Sequence, residues 1–362
     1  MATDSAIMED VVMALDWTPN TNHTGLFVAL AQGWYAEAGL RVKLLSVHEE
    51  DYRNSYTEAN GTNPDGEYPT PCGKVAARTA TFAMNSPEGC IGWNTPPPGV
   101  ERPALKTVAA VLQAQTSAIV TTKDSGLERP KQLDGKVYAS YAARFEGRIV
   151  QQMIKNDGGT GDYDERVLPM LGIWNTIQEG AADATWVFMS WEGVEAKMKG
   201  LELNAFYLQD YGIPYAYAPC LMTHPATLAE KPEMVRKFLK ATQRGYEWAA
   251  ANPEEAARIL VSGAKEHNNF DLDEDMVTLS QLEVGPAYLD EDGKWGGMQK
   301  SRWDKYLDWL SDSGLLTTYM QSRTPKEGTS ATLDELRAGK AGDPIPRESI
   351  DATDLFTTAF LQ

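Results

Sequence analysis

The amino-terminal part of the chain alternates between strand-like and helix-like segments, and this order restricts the folds that it can adopt. Residues 11–15 (Val-Val-Met-Ala-Leu) form a short apolar run typical of a buried strand, and residues 26–34 carry apolar side chains on one helical face. Residues 41–47 then alternate as a second strand. Because strand, helix and strand in this order form a βαβ unit, the sequence predicts an α/β protein with a parallel sheet covered by helices.

The βα pattern continues far enough to build two lobes, and 362 residues can bury a core in each. We predict a first lobe in residues 10–116, a second lobe in 117–213, a mostly helical return to the first lobe in 214–321, and a polar, poorly packed tail in 322–362. Turn-forming residues interrupt the first lobe at 48–72. We expect a surface excursion there, which either lies over a ligand cleft or has no functional consequence.

The charge and hydropathy of the chain exclude several classes of partner. The net charge is -18 and the pI is about 4.7, so nucleic acid and anionic membrane surfaces are poor candidates. The sequence has no apolar run of about 18 residues, and we expect no transmembrane helix. The first ten residues are acidic and lack the apolar region of a secretory signal. This predicts a cytoplasmic protein, or a periplasmic or extracellular one from which a signal has been removed.

Metal, disulfide and nucleotide chemistry have little support in the sequence. The three cysteines, Cys72, Cys90 and Cys220, are too few for a disulfide framework and are not spaced as a zinc site. We expect them to be free, buried thiols. The chain contains no Gly-x-Gly-x-x-Gly, Walker or His-Glu-x-x-His motif, so no sequence motif demands catalysis.

The loop after the first predicted strand is rich in groups that can contact a heterocycle. Trp17 supplies an indole that can stack on a flat ring, and Asp16 supplies a carboxylate. Asn20, Asn22 and His23 add two carboxamides and an imidazole, all able to hydrogen-bond the edge of a ring. The alternative is a capped turn with a core tryptophan, because polar loop residues also cap helices.

Polar and aromatic side chains also follow other predicted strands, where α/β sheets place their ligands. The further candidate binding residues are Asn85 and Glu88 after strand 79–84, Tyr141, Phe145 and Glu146 after strand 136–140, Trp191 and Glu192 after strand 184–189, and Tyr215 on the return segment. We expect these residues to line one site together with the first loop.

Four segments of the chain resemble one protein family. Residues 16–25 (Asp-Trp-Thr-Pro-Asn-Thr-Asn-His-Thr-Gly) are similar to the opening signature of the thiamine-pyrimidine family, and residues 33–42, 186–195 and 231–242 resemble its later segments. The family includes eukaryotic thiamine pyrimidine synthases and bacterial transporter-associated proteins that bind thiamine pyrimidine precursors. The resemblance implies a two-lobed α/β fold of the periplasmic-binding-protein type (type II), with a ligand cleft between the lobes and a helical C-terminal return.

The chain departs from the synthase branch at the residues that carry its chemistry. The synthases hold pyridoxal phosphate on a lysine, consume a histidine four residues further on, and use a cysteine-rich segment with iron. The matching residues 81–92 contain neither lysine nor histidine, and only Cys220 remains where the cysteine-rich segment should fall. The phosphate loop is matched only in part by residues 145–147. Since a Schiff base requires an amine, the resemblance favours the precursor-binding branch, without a cofactor.

The resemblance further implies that the cleft closes on an aminopyrimidine, with hinges near residues 115–119 and 211–219. Trp17 would stack on the ring, and Tyr141 or Trp191 would cover its other face. The polar groups expected to pair with the ring nitrogens and the exocyclic amine are those of Asp16, Asn20, Asn85, Glu88 and Glu192.

Three functions stay open at this point. The first is binding of a precursor of the hydroxymethylpyrimidine or formylaminopyrimidine type for thiamine biosynthesis or salvage. The second is a hydroxymethylpyrimidine phosphate synthase that uses pyridoxal phosphate and histidine, with iron. The third is binding of another flat or anionic molecule, such as riboflavin or an alkyl sulfonate. A transporter, and a second copy of the chain in a homodimer, are the macromolecular partners that we consider.

Overall fold

The structure, a computed structural model, describes residues 8–49, 70–141, 143–167, 173–322 and 325–361. Most of the excursion predicted at 48–72 therefore lies outside the described residues. Of the helices in the described part of the chain, none is both long and apolar enough to cross a bilayer.

Two five-stranded sheets form the framework of the described residues. Their strands are β1 (Glu9–Ala14), β2 (Leu40–Leu45), β3 (Phe82–Asn85), β4 (Lys106–Ala110), β5 (Ser117–Thr122), β6 (Val137–Ser140), β7 (Asp164–Val167), β8 (Ala184–Phe188), β9 (Leu203–Phe206) and β10 (Cys220–Thr223). The first sheet has the order β2-β1-β3-β10-β4 and the second the order β7-β6-β8-β5-β9. In each sheet four strands run in one direction and one strand, β10 in the first sheet and β5 in the second, runs antiparallel to them.

The chain thus builds four strands of the first sheet, then the whole second sheet, and returns to the first sheet through β10. This confirms the predicted two-lobed α/β fold class. The residue boundaries assigned above to the two lobes stay predictions.

Helices cover both sheets. They are α1 (Thr24–Ala31), α2 (Trp34–Glu37), α3 (Pro71–Ala76), α4 (Pro87–Asn94), α5 (Glu146–Asn156), α6 (Ile173–Gln178), α7 (Val194–Met198), α8 (Pro225–Glu230), α9 (Pro232–Ala251), α10 (Pro253–Asn268), α11 (Glu274–Val284), α12 (Lys300–Asp312), α13 (Leu333–Arg337) and α14 (Ala352–Leu355). The helical return predicted from the sequence corresponds to α8 through α12.

The first strand is buried on both faces, which explains its uninterrupted apolar sequence. Val11, Met13 and Leu15 pack in the core formed with α1 and α9, and Ala14 packs in a second core on the other face of the sheet. The polar loop that follows is therefore attached to a strand that is packed on both faces.

Two facing glycines set the distance between α1 and α9. A Cβ atom on Gly245 would lie 2.0 Å from the carbonyl oxygen of Gly25, and a Cβ on Gly25 would lie 2.2 Å from the ring of Tyr246. Only glycine allows this approach. Because α1 begins where the polar loop ends, the contact also fixes the position of that loop.

The prediction of a poorly packed tail is wrong. Leu355 and Phe356 are 2% and 9% exposed and belong to a core that includes residues of both sheets. Phe356 pairs with Thr107 of β4, and its ring stacks on Trp303 with the centroids 6.0 Å apart. The tail has few apolar residues, but they meet partners far away in the sequence, and a local pattern does not reveal such partners.

The cysteines are free and buried, as predicted. Burial raises the pKa of the Cys72 and Cys90 thiols to about 12, so both are protonated at neutral pH. Within the described ranges, no group of three or more His, Cys, Asp or Glu side chains is placed to hold a metal ion.

Candidate functional site

The loops at the carboxyl ends of the parallel strands in the two sheets meet each other. Trp17, which follows β1 in the first sheet, contacts Tyr141, which follows β6 in the second, with the ring centroids 5.8 Å apart and the planes at 74°. Both rings are partly exposed. Two sheets that meet at these ends enclose a cleft, and the carboxyl ends of parallel strands are where α/β sheets bind ligands.

His23 orients the carboxylate of Asp16 within this cleft. The backbone N–H of Asn20 donates to Nδ1 of His23 at 3.2 Å, so the ring proton is on Nε2, which donates to Asp16 Oδ1 at 2.9 Å. His23 has no exposed surface, whereas a quarter of the Asp16 side chain is exposed. Asp16 is therefore the group that a ligand can reach, and His23 is a positioning residue.

The two asparagines of the loop have different roles. The Asn20 carboxamide donates to the Thr18 carbonyl at 2.9 Å and accepts from the Asn22 N–H at 2.9 Å, so it caps the turn that leads into α1. The turn thus uses one N–H and the oxygen of this amide, and the pairing of Asn20 with a ligand stays a prediction. Asn22 is 5% exposed, and its carboxamide makes no hydrogen bond to the residues that the structure describes.

Asn85 also forms hydrogen bonds with its own surroundings, and its pairing with a ligand stays a prediction. Its amide donates to the sulfur of Cys72 at 2.8 Å, and its oxygen accepts from the Ser86 N–H at 2.8 Å. Ser86 in turn caps α4, with Pro87 in the first turn of the helix. The sequence analysis missed this helix, although Ser-Pro is a recognised helix start.

Glu88, in the first turn of α4, is a buried carboxyl with one unsatisfied oxygen. Its Oε1 accepts from the hydroxyl of Tyr215 at 2.5 Å, and its Oε2 has no partner among the described residues. Burial raises the pKa of Glu88 to about 7, and the nearby charge of Glu146 adds to the rise. The ring centroid of Tyr215 also lies 5.7 Å from that of Trp186 on β8. Tyr215 therefore connects Glu88, which follows a strand of the first sheet, to the second sheet.

Glu146 and Phe145 shape the loop after β6. The Glu146 carboxylate accepts from the backbone N–H groups of Tyr141 and Ala143 at 3.1 Å and from the hydroxyl of Tyr138 at 2.7 Å. The Phe145 ring is completely buried in the core. These contacts place both residues behind Tyr141, and a direct role of either one in ligand binding stays a prediction.

Glu192 lies opposite Tyr141 at the end of β8. The strand ends in a π-helical turn, Met189–Gly193, and the Glu192 carboxylate accepts from the Phe188 N–H at 2.9 Å. Burial raises the pKa of Glu192 to about 7, and burial together with the Glu192 charge raises the pKa of Tyr141 well above its ordinary value. Trp191, in the same turn, packs against the core of the first sheet.

The sequence analysis missed three residues whose polar atoms are unsatisfied near this turn. The amide oxygen and nitrogen of Gln115, the hydroxyl of Thr116 and the hydroxyl of Ser190 have no hydrogen-bond partner in the described part of the chain. The Met189 N–H donates to the Thr116 carbonyl at 2.8 Å, which places the crossing segment beside the turn. Each unsatisfied buried group costs about 1–3 kcal/mol, so a polar ligand or water that paired with these groups would stabilise the protein. For Gln115 and Thr116, the place on the predicted hinge was the available signal.

A chain of hydroxyl groups connects the first loop to the second sheet. The Thr21 hydroxyl lies 2.7 Å from that of Ser280 on α11, and the Ser280 hydroxyl donates to the Ser190 carbonyl. Tyr288 fixes the same loop by donating to the Thr21 carbonyl at 2.5 Å. Helix α11 is therefore a third wall that contacts both sides of the cleft.

The cleft combines flat aromatic surface with acidic and neutral polar groups. Asp16 and Glu192 supply carboxyl oxygens, Trp17 and Tyr141 supply rings, and Glu88 stays a predicted member of the site. Such a set suits a flat heterocycle that carries hydrogen-bond donors. Two surface grooves, of about 530 and 570 Å³, lie elsewhere, and no predicted site residue lines them.

Comparison with known proteins adds evidence that is independent of this geometry. The model of the family described as NMT1/THI5 like matches residues 20–63 and 71–256, which is more than half of the chain. Among curated proteins, the formylaminopyrimidine-binding protein of Halalkalibacterium halodurans is 26% identical over 313 residues, covering 85% of this chain and 87% of that protein.

More distant relatives and a solved structure extend the comparison. The riboflavin-binding protein RibY of Chloroflexus aurantiacus is 22% identical over 86% of this chain and 82% of its own length. The 4-amino-5-hydroxymethyl-2-methylpyrimidine phosphate synthase of Legionella pneumophila is 22% identical over 71% and 74%. The alkanesulfonate-binding protein SsuA of Xanthomonas axonopodis pv. citri superposes with a TM-score of 0.59 at 12% identity, covering 87% of this chain and 96% of that chain. This last likeness shows the fold alone.

Proposed function

Since the chain belongs to the NMT1/THI5-like family, we propose that it binds a thiamine pyrimidine precursor, of the formylaminopyrimidine or hydroxymethylpyrimidine type, in the cleft between its two sheets. The name of the relative from Halalkalibacterium halodurans supports this choice, because that protein aligns over most of both chains. The ligand would then serve thiamine biosynthesis or salvage.

The observation that carries the proposal is the contact between Trp17 and Tyr141, which brings together the loop that holds Asp16 and the ring whose pKa burial and the Glu192 charge raise. The partly exposed indole of Trp17 stacks on the pyrimidine ring. The Tyr141 ring, whose centroid lies 5.8 Å from that of Trp17, contacts the edge of this stack. The exocyclic amine donates to Asp16 or Glu192, because a carboxyl oxygen is a hydrogen-bond acceptor. The free carboxamide of Asn22 pairs with a ring nitrogen. Analogues that lack the amine leave a desolvated carboxylate unpaired and are rejected.

The residues of this chain do not fit the synthase alternative. The strand end at 81–92 offers Asn85 and Glu88 but no lysine amine to hold pyridoxal phosphate. The Asn85 amide is already occupied by Cys72 and Ser86. We therefore derive no step through pyridoxal phosphate or iron.

The cellular setting is a second part of the proposal. We propose a membrane transporter as the partner that receives the ligand, and the periplasm or the outside of the cell as the location of the protein. One protein of the same fold, from Methylobacillus flagellatus, is described as a periplasmic sulfonate-binding protein of an ABC transporter, which supports both proposals. Both statements concern the route of the ligand and do not affect the chemistry of the cleft.

Isothermal titration calorimetry with formylaminopyrimidine, hydroxymethylpyrimidine, riboflavin and pyridoxal phosphate tests the proposal. We expect one-site binding of an aminopyrimidine, weakened about 10-fold or more in Trp17→Ala, because aromatic stacking contributes about 1 kcal/mol beyond the buried area. Trp309→Ala, at a partly exposed tryptophan on α12 away from the cleft, is the matched control. Unchanged affinity in Trp17→Ala contradicts the stacking role, and pyridoxal phosphate binding with an imine absorbance overturns the proposed function.

A further inference from the structure

Two buried arginines lie behind the loop that presents Tyr141. Arg144 and Arg148 are 8% and 4% exposed. Arg144 donates to the carbonyls of Gly92 and Thr95, at the end of α4, at 2.6 and 2.7 Å. Its other terminal nitrogen donates to the Thr317 carbonyl at 2.7 Å, and Arg148 donates to the Thr317 hydroxyl at 3.0 Å. Every one of these acceptors is a neutral oxygen.

Several N–H groups of this pair are left over. Nε of Arg144, and Nε and Nη2 of Arg148, are buried and have no hydrogen-bond partner among the residues that the structure describes. The Phe145 ring lies 5.4 Å from the guanidinium carbon of Arg144 and 5.8 Å from that of Arg148. An aromatic face attracts a cation weakly, but it brings no negative charge.

The positive charge of the pair is also unmatched. In the described ranges, no ion pair includes Arg144 or Arg148, although the whole chain has 51 acidic and 33 basic residues. Burial lowers the pKa of Arg144 to about 9 and that of Arg148 to about 10, which still leaves both charged at neutral pH. A buried charge without a counter-charge is costly.

We propose that Arg144 and Arg148 bind a small inorganic anion through these unused N–H groups. The guanidinium Nε and Nη2 edge is the fork that grips an oxyanion with two parallel hydrogen bonds, and the same edge can hold a halide. The anion would neutralise the pair where three segments meet: the loop after β6, the end of α4, and the segment at Thr317. It stabilises the fold from behind the cleft and is separate from the pyrimidine site.

Thermal unfolding at constant pH and ionic strength tests this site, with sodium gluconate replaced stepwise by sodium chloride in one series and by sodium phosphate in another. We expect a saturable rise in Tm of about 2 °C in one series, as for any ligand that binds only the folded state. The series that shows it distinguishes a halide from an oxyanion. Arg148→Gln should abolish the rise, and Arg166→Gln, at an exposed arginine on β7, should keep it.

Two results overturn the proposal: a Tm that is the same in gluconate, chloride and phosphate, or an equal saturable rise in Arg148→Gln. If Arg148→Gln does not fold, Arg148→Lys keeps the charge but lacks the fork. We then expect the half-saturating anion concentration to rise about 10-fold, since one of two parallel hydrogen bonds is lost. An unchanged half-saturating concentration in that variant also counts against the site.

Discussion

Glu88 should make the stability of the protein depend on pH in the direction opposite to that of an ordinary ion-paired carboxylate. Its pKa is about 7 in the folded protein, chiefly because of burial, against 4.5 for an unperturbed carboxyl. Between these two values the folded state holds a proton that the unfolded state has lost. The free energy of unfolding therefore falls as the pH rises through this window.

The substitution Glu88→Gln removes this dependence, because glutamine keeps the shape of the protonated acid and does not ionise. A change in pKa from 4.5 to about 7 corresponds to about 3 kcal/mol once the group is fully ionised. At pH 5 the variant should match the parent within about 1 kcal/mol, since the parent is then protonated at this site. At pH 8 the variant should be more stable by about 2–3 kcal/mol.

Urea unfolding of both proteins at pH 5, 6, 7 and 8 measures this difference. Other buried carboxyls, such as Glu165 and Glu192, titrate in both proteins and cancel when the two curves are subtracted. Glu101→Gln, at an exposed position, is the control and should leave the pH dependence unchanged. If the free energies of Glu88→Gln and the parent run parallel from pH 5 to pH 8, the reasoning about this buried carboxyl is refuted.

Two further predictions concern packing. Leu355→Ala should lower the free energy of unfolding by about 2–4 kcal/mol, because the side chain is 2% exposed in the core. A loss below about 0.5 kcal/mol, which is typical of surface positions, would support a poorly packed tail instead. Gly245→Ala should destabilise the protein by several kcal/mol and weaken ligand binding, because its Cβ would lie 2.0 Å from the Gly25 carbonyl oxygen. Gly285→Ala, where a Cβ has ordinary contacts, is the control for that variant, and equal stability of the two variants would contradict the prediction.

The sequence predicted the βα order, the second lobe within the first and the loop at residues 16–25, because these depend on local periodicity and on polar residues at strand ends. It did not predict which polar groups are free. Asn20 and Asn85 have the same chemistry as Asn22, but their amides form hydrogen bonds with a turn and with a neighbouring thiol. This distinction depends on backbone geometry a few residues away, which composition does not record.

The missed elements have a similar cause. Helix α4 contains Gly89 and Gly92, which weaken a helical pattern, and it is stabilised by its cap and by Arg144 at its end. Gln115, Thr116 and Ser190 are common residues in an unremarkable context. Their importance comes from burial without a partner, which only a three-dimensional structure reveals.

The hydrogen bonds of the first loop also affect which residues lose conformational entropy when a ligand binds. The imidazole of His23 is held at both nitrogens, and Tyr246 donates to the Asn22 carbonyl at 2.6 Å, so the orientation of Asp16 is fixed in advance. Ordering a side chain on binding costs about 0.5–1.5 kcal/mol, and this loop avoids that cost. A ligand therefore meets a preorganised wall on the first sheet, and we expect the loss of conformational freedom to fall on Tyr141 and Glu192 across the cleft.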